Sequence, residues 1–254
     1  MNAAPPAGGS ARLEVRIAEK TYPGADGVPV AALRDLTFSL GAGRIGALLG
    51  PSGGGKTTTL RIIAGLDPHF SGSVTRPGQG RLGIVFQEPR LLPWRTVEQN
   101  VTLAVEAAGL EGGGEAALYP LLGLENHRSR FPGELSLGLA RRAAIARAFA
   151  VDPDLLLLDE PFVSLDSDTA RRLRRELIAL QARTCPTTIL VTHDRDEALA
   201  LADDVFVLGG QPGRIVAAMS IPSPREERRP DDIQDLRRDL DSLMIAERPA
   251  AGPE

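Results

Sequence analysis

The amino-acid sequence predicts an α/β fold with a mostly parallel sheet. Three apolar segments of strand length, Arg44–Leu49, Leu155–Leu158 and Thr188–Thr192, are each followed by a segment of helical character. Strands that alternate with helices are typical of parallel sheets, because each crossover needs a connection of helix length. A Gly-rich stretch joins the first of these strands to its helix, which adds a local signal to the overall pattern.

Ahead of the first parallel strand, the sequence predicts a small antiparallel β subdomain. Residues 13–17 and 36–40 alternate between apolar and polar side chains, as strands with one buried face do. The Asp26-Gly27 pair marks a turn between them. The remaining elements predicted for the sheet and its helices are a helix at 56–64 that Gly65 ends, a strand at 81–86, helices at 168–182 and 197–202, and a strand at 205–208.

A mostly helical insertion is predicted at about 96–146. Thr96 and Gln99 have capping-box spacing, so a helix begins there and runs to about Ala108. We expect Gly112, Gly113 and Gly114 to end it. A second helix is predicted from about Gly138 to Ala150, and it closes the insertion.

The two ends of the chain are read as tails around one main domain at 11–220. Residues 1–10 are small and rich in Pro and Gly, with no basic region followed by an apolar one, so they read as a disordered tail and not as a signal peptide. Residues 221–254 contain one amphipathic helix, with Ile233, Leu236, Leu240 and Leu243 at helical spacing. Its apolar face is predicted to pack on the chain's own core, and a partner interface is the alternative.

Composition limits the possible partners and the compartment. The net charge of −4 argues against broad binding to nucleic acid. No apolar run approaches the length needed to cross a bilayer, so membrane association is expected through partner proteins. The single cysteine, Cys185, fits a reducing cytoplasm and is expected to be a buried structural thiol.

The Gly-rich stretch matches the phosphate-binding loop pattern in full. Glycines let successive backbone N–H groups face a phosphate, and the following helix adds the positive end of its dipole. Lys56 is expected to contact the β- and γ-phosphates, and the Thr57 hydroxyl to bind Mg²⁺. The nucleotide-binding residues predicted here are Gly50, Pro51, Ser52, Gly53, Gly54, Gly55, Lys56, Thr57 and Thr58. With the parallel sheet, this motif predicts a P-loop NTPase core of the RecA-like kind.

The apolar strand Leu155–Leu158 ends in two carboxylates, Asp159 and Glu160. In an open parallel sheet, ligands bind at the carboxyl ends of the strands, where this pair would lie beside the phosphate loop. Asp159 is therefore expected to hold Mg²⁺ and Glu160 to polarise the attacking water. The ligand that these motifs predict is ATP with Mg²⁺.

These motifs, in this order, resemble the ATP-binding cassette (ABC) ATPases over roughly residues 13–215. The resemblance implies that Tyr22 stacks on adenine and that Gln87 contacts Mg²⁺ and the attacking water. It also implies that His193 contacts the γ-phosphate and that Asp166, in Ser-Leu-Asp, belongs to a loop that crosses to a second subunit. Glu160, His193, Gln87 and Lys56 are then the predicted catalytic residues.

The segment 135–142 resembles the signature sequence of the family, which normally reads Leu-Ser-Gly-Gly and is followed by a Gln. Here Leu137 stands where the first glycine is usual, while Ser136 and Gly138 are kept. By resemblance, Ser136 and Gly138 contact the γ-phosphate of the opposite subunit. Because one cassette holds only half of each site, a second copy of the chain is the implied partner.

The segment 86–97 is similar to that of ATPases from nitrate, sulfonate, taurine and bicarbonate importers. Its single tryptophan, Trp94, is a candidate anchor for a permease helix, with packing inside the insertion as the alternative. The resemblance implies a peripheral protein on the cytoplasmic face of the inner membrane, with permease subunits and, indirectly, a solute-binding protein as partners. The function that this resemblance implies is the ATPase subunit of a bacterial importer of a small solute. The first alternative is the ATPase of a lipid transporter, because Ala140-Arg141-Arg142 also occurs in the signature of that kind of protein. A soluble cassette ATPase acting in DNA repair or translation is the second.

Overall fold

The computed structural model describes residues 12–246, with the side chains of residues 12–244. The predicted tail at 1–10 and the last eight residues lie outside the described residues. The chain divides into two compact units: a terminal unit, Arg12–Thr75 together with the chain from Ile189 onward, and a central unit, Arg76–Thr188.

The strands are β1 (Arg12–Pro23), β2 (Pro29–Gly41), β3 (Ile45–Leu49), β4 (Ser71–Thr75), β5 (Leu82–Val85), β6 (Leu155–Asp159), β7 (Thr187–Thr192), β8 (Asp204–Gly209) and β9 (Arg214–Ser220). The α-helices are α1 (Lys56–Ala64), α2 (Val97–Ala107), α3 (Leu118–Leu121), α4 (Leu137–Phe149), α5 (Ser167–Thr184), α6 (Arg195–Leu201) and α7 (Pro230–Ala246).

In the terminal unit, β1, β2 and β4 form the predicted antiparallel subdomain, in the order β2-β1-β4. Strand β4 was not predicted, because its residues, Ser-Gly-Ser-Val-Thr, are mostly exposed and show no apolar alternation. Gly72 has φ +138°, and a Cβ there would lie 2.0 Å from the carbonyl oxygen of Arg16. Only glycine therefore lets β4 approach β1 this closely.

The same unit contains the strand order β7-β3-β8-β9. Strands β3 and β8 are parallel, with Gly46 opposite Asp204 and Leu49 opposite Val207. Strand β9 was not predicted; it is antiparallel to β8, and its side chains are mostly half-buried or exposed. Gly65 ends α1 with φ +76°, as the sequence predicted.

In the central unit, β5 and β6 are parallel, with Leu82 opposite Leu155 and Val85 opposite Leu158. Helix α2 begins at the predicted capping box, in which Thr96 and Gln99 exchange hydrogen bonds. The prediction that the glycines at 112–114 end this helix was wrong. Helix α2 ends at Ala107 and Gly109 follows with φ +68°, so the left-handed turn comes three residues earlier.

Helix α7 packs on α6 and β9 of its own unit. Leu240 is fully buried, whereas the side chain of Leu243 is 39% exposed. Arg237 pairs with Asp196, and Arg195 with Asp241, across the helix–helix contact. Leu240 thus packs against the chain's own core, whereas Ile233 and Leu236 are half-buried.

The expected burial of Cys185 was wrong, because its side chain is exposed. Helix α5 extends two residues beyond its predicted end, and Cys185 caps it with φ +47°. Pro186 follows and cannot continue the helix. Cys185 therefore lies outside both helix and strand. None of the helices within residues 12–246 is long and apolar enough to cross a membrane.

The packing of α7 predicts different effects for two leucines of the same helix. Leu240→Ala leaves a cavity in the core and should lower the free energy of unfolding by about 2–5 kcal/mol. Leu243→Ala, the matched control on the exposed side, should lower it by no more than about 0.5 kcal/mol. Urea-induced unfolding followed by circular dichroism measures both. Equal losses would contradict the packing of α7 on the core.

Candidate functional site

The predicted phosphate loop joins β3 to α1 in the terminal unit. Gly53 and Gly55 adopt left-handed φ values of +78° and +92°. A Cβ at Gly55 would lie 2.4 Å from Leu33, and one at Gly50 would lie 2.6 Å from the carbonyl oxygen of Leu208. The backbone conformation therefore favours glycine at positions 53 and 55, and the lack of space favours it at positions 50 and 55.

Lys56 is the first residue of α1 and is buried. Its ammonium donates hydrogen bonds to the carbonyl oxygens of Gly50, at 2.8 Å, and Pro51, at 2.9 Å. The loop thus curls around the charge that is predicted to contact phosphate. Thr57 is exposed and Thr58 is half-buried in the first turn of the helix, where backbone N–H groups lack helical partners.

The other predicted residues of the terminal unit are Tyr22 and His193. Tyr22 lies in β1 and is 37% exposed. His193 directly follows β7, which is the neighbour of β3 in the strand order, and it is exposed. His193 and the phosphate loop therefore follow neighbouring strands of the same unit.

In the central unit, Asp159 is the last residue of β6 and is buried, and Glu160 comes next. Gln87 lies two residues beyond the end of β5, the parallel neighbour of β6. The three polar side chains therefore belong to the carboxyl edge of one strand pair, a pairing that the sequence did not reveal. Glu160 has φ +46°, a strained conformation for a residue other than glycine.

Arg141, on α4, is a residue of this site that sequence reasoning missed. Its guanidinium is buried and donates to the carbonyl oxygens of Pro161, at 2.5 Å, Glu160, at 3.3 Å, and Gln87, at 3.3 Å. One side chain thereby holds the backbone at two predicted catalytic residues. In the sequence, Arg141 is only a basic residue near the signature, and nothing in that position indicates that it contacts three carbonyl groups distant along the chain.

The signature segment forms the start of α4. The Ser136 hydroxyl caps the helix by accepting a hydrogen bond from the Leu139 backbone N–H at 3.3 Å, which leaves its own O–H to donate. Leu137 is the first helical residue, is 43% exposed and has no positive φ, so this position does not need glycine. Gly138 does need to be small, because a Cβ would lie 3.0 Å from the Thr169 side chain.

A cleft of the central unit opens at this helix start. It is lined by Ser136, Gly138, Leu139, Arg142, Asp168, Thr169 and Arg172. The helix N-terminus favours an anion, while Arg142 and Arg172 both pair with Glu176 and Asp168 adds a negative charge to the lining. The predicted residues Ser136 and Gly138 therefore share a cleft with Arg142 and Arg172, which the sequence did not single out.

Asp166 has a structural role within its own chain. Its carboxylate caps α5 and accepts hydrogen bonds from the backbone N–H groups of Asp168 and Thr169. The hydrogen bonds from Thr169 hold the pKa of Asp166 below its usual value. A carboxylate at a helix N-terminus is stabilising in itself, so the predicted contact with a second subunit is not needed to explain this residue.

The segment after Gln87 is held rigid by two side chains. Arg147 donates to the carbonyl oxygens of Arg90, at 2.7 Å, and Pro89, at 3.0 Å. The buried Asn100 side chain bonds to both backbone groups of Leu92, at 2.7 and 3.2 Å. Asn100 also donates to the carbonyl oxygen of Arg95, at 3.1 Å. Trp94, between Leu92 and Arg95, is 70% exposed, so it is not packed inside the helical insertion.

Comparison with known proteins identifies the family of the chain. The ABC transporter family matches residues 33–163, and the chain belongs to that family. It is therefore an ATP-hydrolysing cassette with a P-loop NTPase fold.

Among individual proteins, the chain is 41% identical over 251 residues to the aliphatic sulfonates import ATP-binding protein SsuB 2 of Burkholderia cenocepacia, covering 94% of this chain and 90% of that protein. It is 43% identical over 220 residues to SsuB 2 of Pseudomonas syringae pv. tomato, covering 86% and 92%. The dimeric cassette MJ0796, in a post-hydrolysis state bound to ADP and Pi, is a structural relative with a TM-score of 0.71. Its identity is 26%, over 84% of this chain and all of that one.

The contacts of Arg141 predict a kinetic effect. Arg141→Lys keeps the charge but lacks the fork that reaches carbonyls on two loops. We expect kcat for ATP hydrolysis to fall roughly 10- to 100-fold, because small misplacements of catalytic groups are costly. The dissociation constant for ATP should stay within about threefold.

Arg171→Lys, on the exposed side of α5, is the control and should leave both constants unchanged. Steady-state kinetics and equilibrium titration with labelled ATP separate the two constants. Wild-type turnover in Arg141→Lys, or an equal loss of ATP affinity, would contradict the positioning role.

Proposed function

We propose that this protein is the ATPase subunit of an importer for aliphatic sulfonates, acting on the cytoplasmic face of the membrane through permease subunits. The observation that carries the proposal is identity of 41–43% to sulfonate import ATP-binding proteins over nearly the whole chain. Both of the sequence relatives compared are import ATP-binding proteins, which favours an importer over a lipid transporter or a repair ATPase.

The proposed chemistry assigns each loop one task. The phosphate loop and Lys56 bind the β- and γ-phosphates, and Tyr22 stacks on adenine. Glu160 polarises the attacking water, while Gln87 and His193 orient it and the γ-phosphate. The buried guanidinium of Arg141 supports these assignments, because it holds the backbone at both Gln87 and Glu160.

The donor atoms also fit Mg²⁺. Thr57, Gln87 and Asp159 offer hydroxyl, amide and carboxylate oxygens, which are the hard ligands this ion prefers. Sites that bind Mg²⁺ together with nucleotide phosphates use only one or two carboxylates of the protein. When bound, the ion would neutralise charge on the phosphates. Thr57, Gln87 and Asp159 are the side chains proposed to hold it.

We further infer that two copies of the chain close on ATP. The phosphate loop leaves the γ-phosphate open on one side, and Ser136 and Gly138 lie at the N-terminus of α4, which favours an anion. The relative MJ0796 is described as a dimer. In the proposed dimer, Ser136 and Gly138 of one copy contact the γ-phosphate held by the other, with Asp166 near the crossing.

Cross-linking tests this arrangement. In a Cys185→Ser background, which is needed because Cys185 is exposed, cysteines replace Ser52 in the phosphate loop and Leu137 at the start of α4. With ATP and Glu160→Gln to block hydrolysis, a short bifunctional reagent should produce a covalent dimer on a denaturing gel, because ATP shifts association by mass action.

Adding Lys56→Ala should reduce the yield of the dimer, since the charge that binds phosphate is lost. Omitting ATP is the matched control. A link formed only within one chain, or formed equally well without nucleotide, would show that this composite site is not what ATP closes.

Transport measurements test the importer proposal. Disrupting the gene in its host should abolish uptake of a labelled alkanesulfonate and leave nitrate uptake unchanged. The wild-type gene should restore uptake, and Glu160→Gln should not. Trp94→Ala should keep ATPase activity in the isolated protein yet restore less than about a tenth of the uptake, because an exposed aromatic anchor is lost. Loss of nitrate uptake instead would contradict the substrate, and unchanged uptake of both would contradict import of either.

A further inference from the structure

Lys20 is one of only two lysines in a chain that otherwise uses arginine for its basic residues. It lies in β1 with a side chain that is only 4% exposed. Its ammonium donates to Asp67 Oδ1 at 2.6 Å and to the carbonyl oxygen of His69 at 2.8 Å. It also lies 4.4 Å from the centroid of the Tyr22 ring. A buried ammonium needs such partners, and here one of them is an aromatic face.

Asp67 links Lys20 to the far end of the same ring. The Tyr22 hydroxyl donates to Asp67 Oδ2 at 2.8 Å, while Oδ1 accepts from Lys20. Burial alone would raise the pKa of Asp67, but the hydrogen bonds from Lys20 and Tyr22 outweigh it and hold the pKa below its usual value. The carboxylate is therefore charged at neutral pH, and it fixes the ring at its tip while Lys20 supports one face.

The linkage also reaches the helix of the phosphate loop. The backbone N–H of Asp67 donates to the carbonyl oxygen of Arg61, in the last turn of α1, at 3.3 Å. Helix α1 begins at Lys56 and ends at Ala64, so Lys56 stands at its start and Asp67 lies three residues beyond its end. A short helix thus connects the phosphate loop to the segment that contacts the ring.

The exposed side of the ring is suited to a flat apolar ligand. Val30 lies directly opposite Tyr22 in the β1–β2 register and is 58% exposed. Directly opposite residues of an antiparallel pair project to the same face. Tyr22 and Val30 therefore present neighbouring apolar surfaces to solvent, and the polar contacts of Tyr22 are made at its tip and its other face.

We propose that Lys20 and Asp67 are positioning residues that hold the Tyr22 ring as a fixed platform for the adenine base. This inference rests on the proposed role of Tyr22 in stacking on adenine. A ring that is already immobilised loses less side-chain freedom when the base binds. Lys20 and Asp67 act through Tyr22, so they affect recognition of the base and not of the phosphates.

The test compares ATP with tripolyphosphate, which has the phosphates but no base. Tyr22→Ala should weaken ATP binding roughly 5- to 100-fold, as expected for loss of a stacking residue. Asp67→Asn should weaken it by about three- to tenfold, because the ring is freed but kept. Neither variant should change the affinity for tripolyphosphate by more than about twofold. Isothermal titration calorimetry measures each constant.

Two further variants serve as controls for the effect of Asp67→Asn. Tyr22→Phe breaks the same linkage at an exposed residue, so it should fold normally and resemble Asp67→Asn. Glu19→Gln removes an exposed ion pair with Arg34 of the same hairpin and should change neither affinity. A melting curve for each variant confirms folding.

The outcomes separate the two ideas. The inference is overturned if Tyr22→Ala weakens the binding of ATP but not of tripolyphosphate, while Asp67→Asn and Tyr22→Phe leave ATP binding unchanged. In that case the Tyr22 ring needs no support from Asp67. The same holds if Asp67→Asn weakens ATP and tripolyphosphate equally, since that is the effect of a structural residue. If Tyr22→Ala spares ATP binding, the proposed role of Tyr22 is wrong, and the inference falls with it.

Discussion

The full burial of the parallel strands is the constraint on which the site depends. Every residue of β3, β6 and β7 is buried, so both faces of these strands are covered and their backbone groups are used by the sheet. Polar groups can therefore become accessible to a ligand only where such a strand ends. Gly50, Glu160 and His193 each come directly after one of these strands. The location of the loops proposed to be catalytic is thus a consequence of how the core is covered.

Loops at the ends of buried strands have carbonyl groups without a ladder partner, and long polar side chains satisfy them. Arg141 does so for Gln87, Glu160 and Pro161, and Asn100 does so for the segment that carries Trp94. Each of these anchors lies on a helix, which is more rigid than the loop it holds. An arginine or an asparagine can therefore set the shape of a functional loop without touching a ligand.

Sequence patterns failed where the local signal was weak or was outweighed by a neighbour. Strands β4 and β9 lack clean apolar alternation. Each lies at the edge of its sheet and is stabilised mainly by backbone hydrogen bonds to one neighbour, not by burial of its side chains. Cys185 was expected to be buried on the average behaviour of free cysteines, but Pro186 ends α5 and leaves it exposed. The capping box at Thr96 and the Gly65 stop were predicted correctly, since both depend on residues only a few positions apart.

The sequence by itself determined the family, the nucleotide chemistry and the order of the loops, because each motif is a short run whose residue types are dictated by phosphate, metal and backbone geometry. The predicted phosphate loop, Asp159, Glu160 and the signature all lie within such runs. Only the tertiary structure decided what supports them. Lys20 meets Asp67 across 47 positions, and Arg141 meets Gln87 across 54, through single hydrogen bonds. Contacts of that separation leave no periodic pattern, since packing of the folded chain alone brings the partners together.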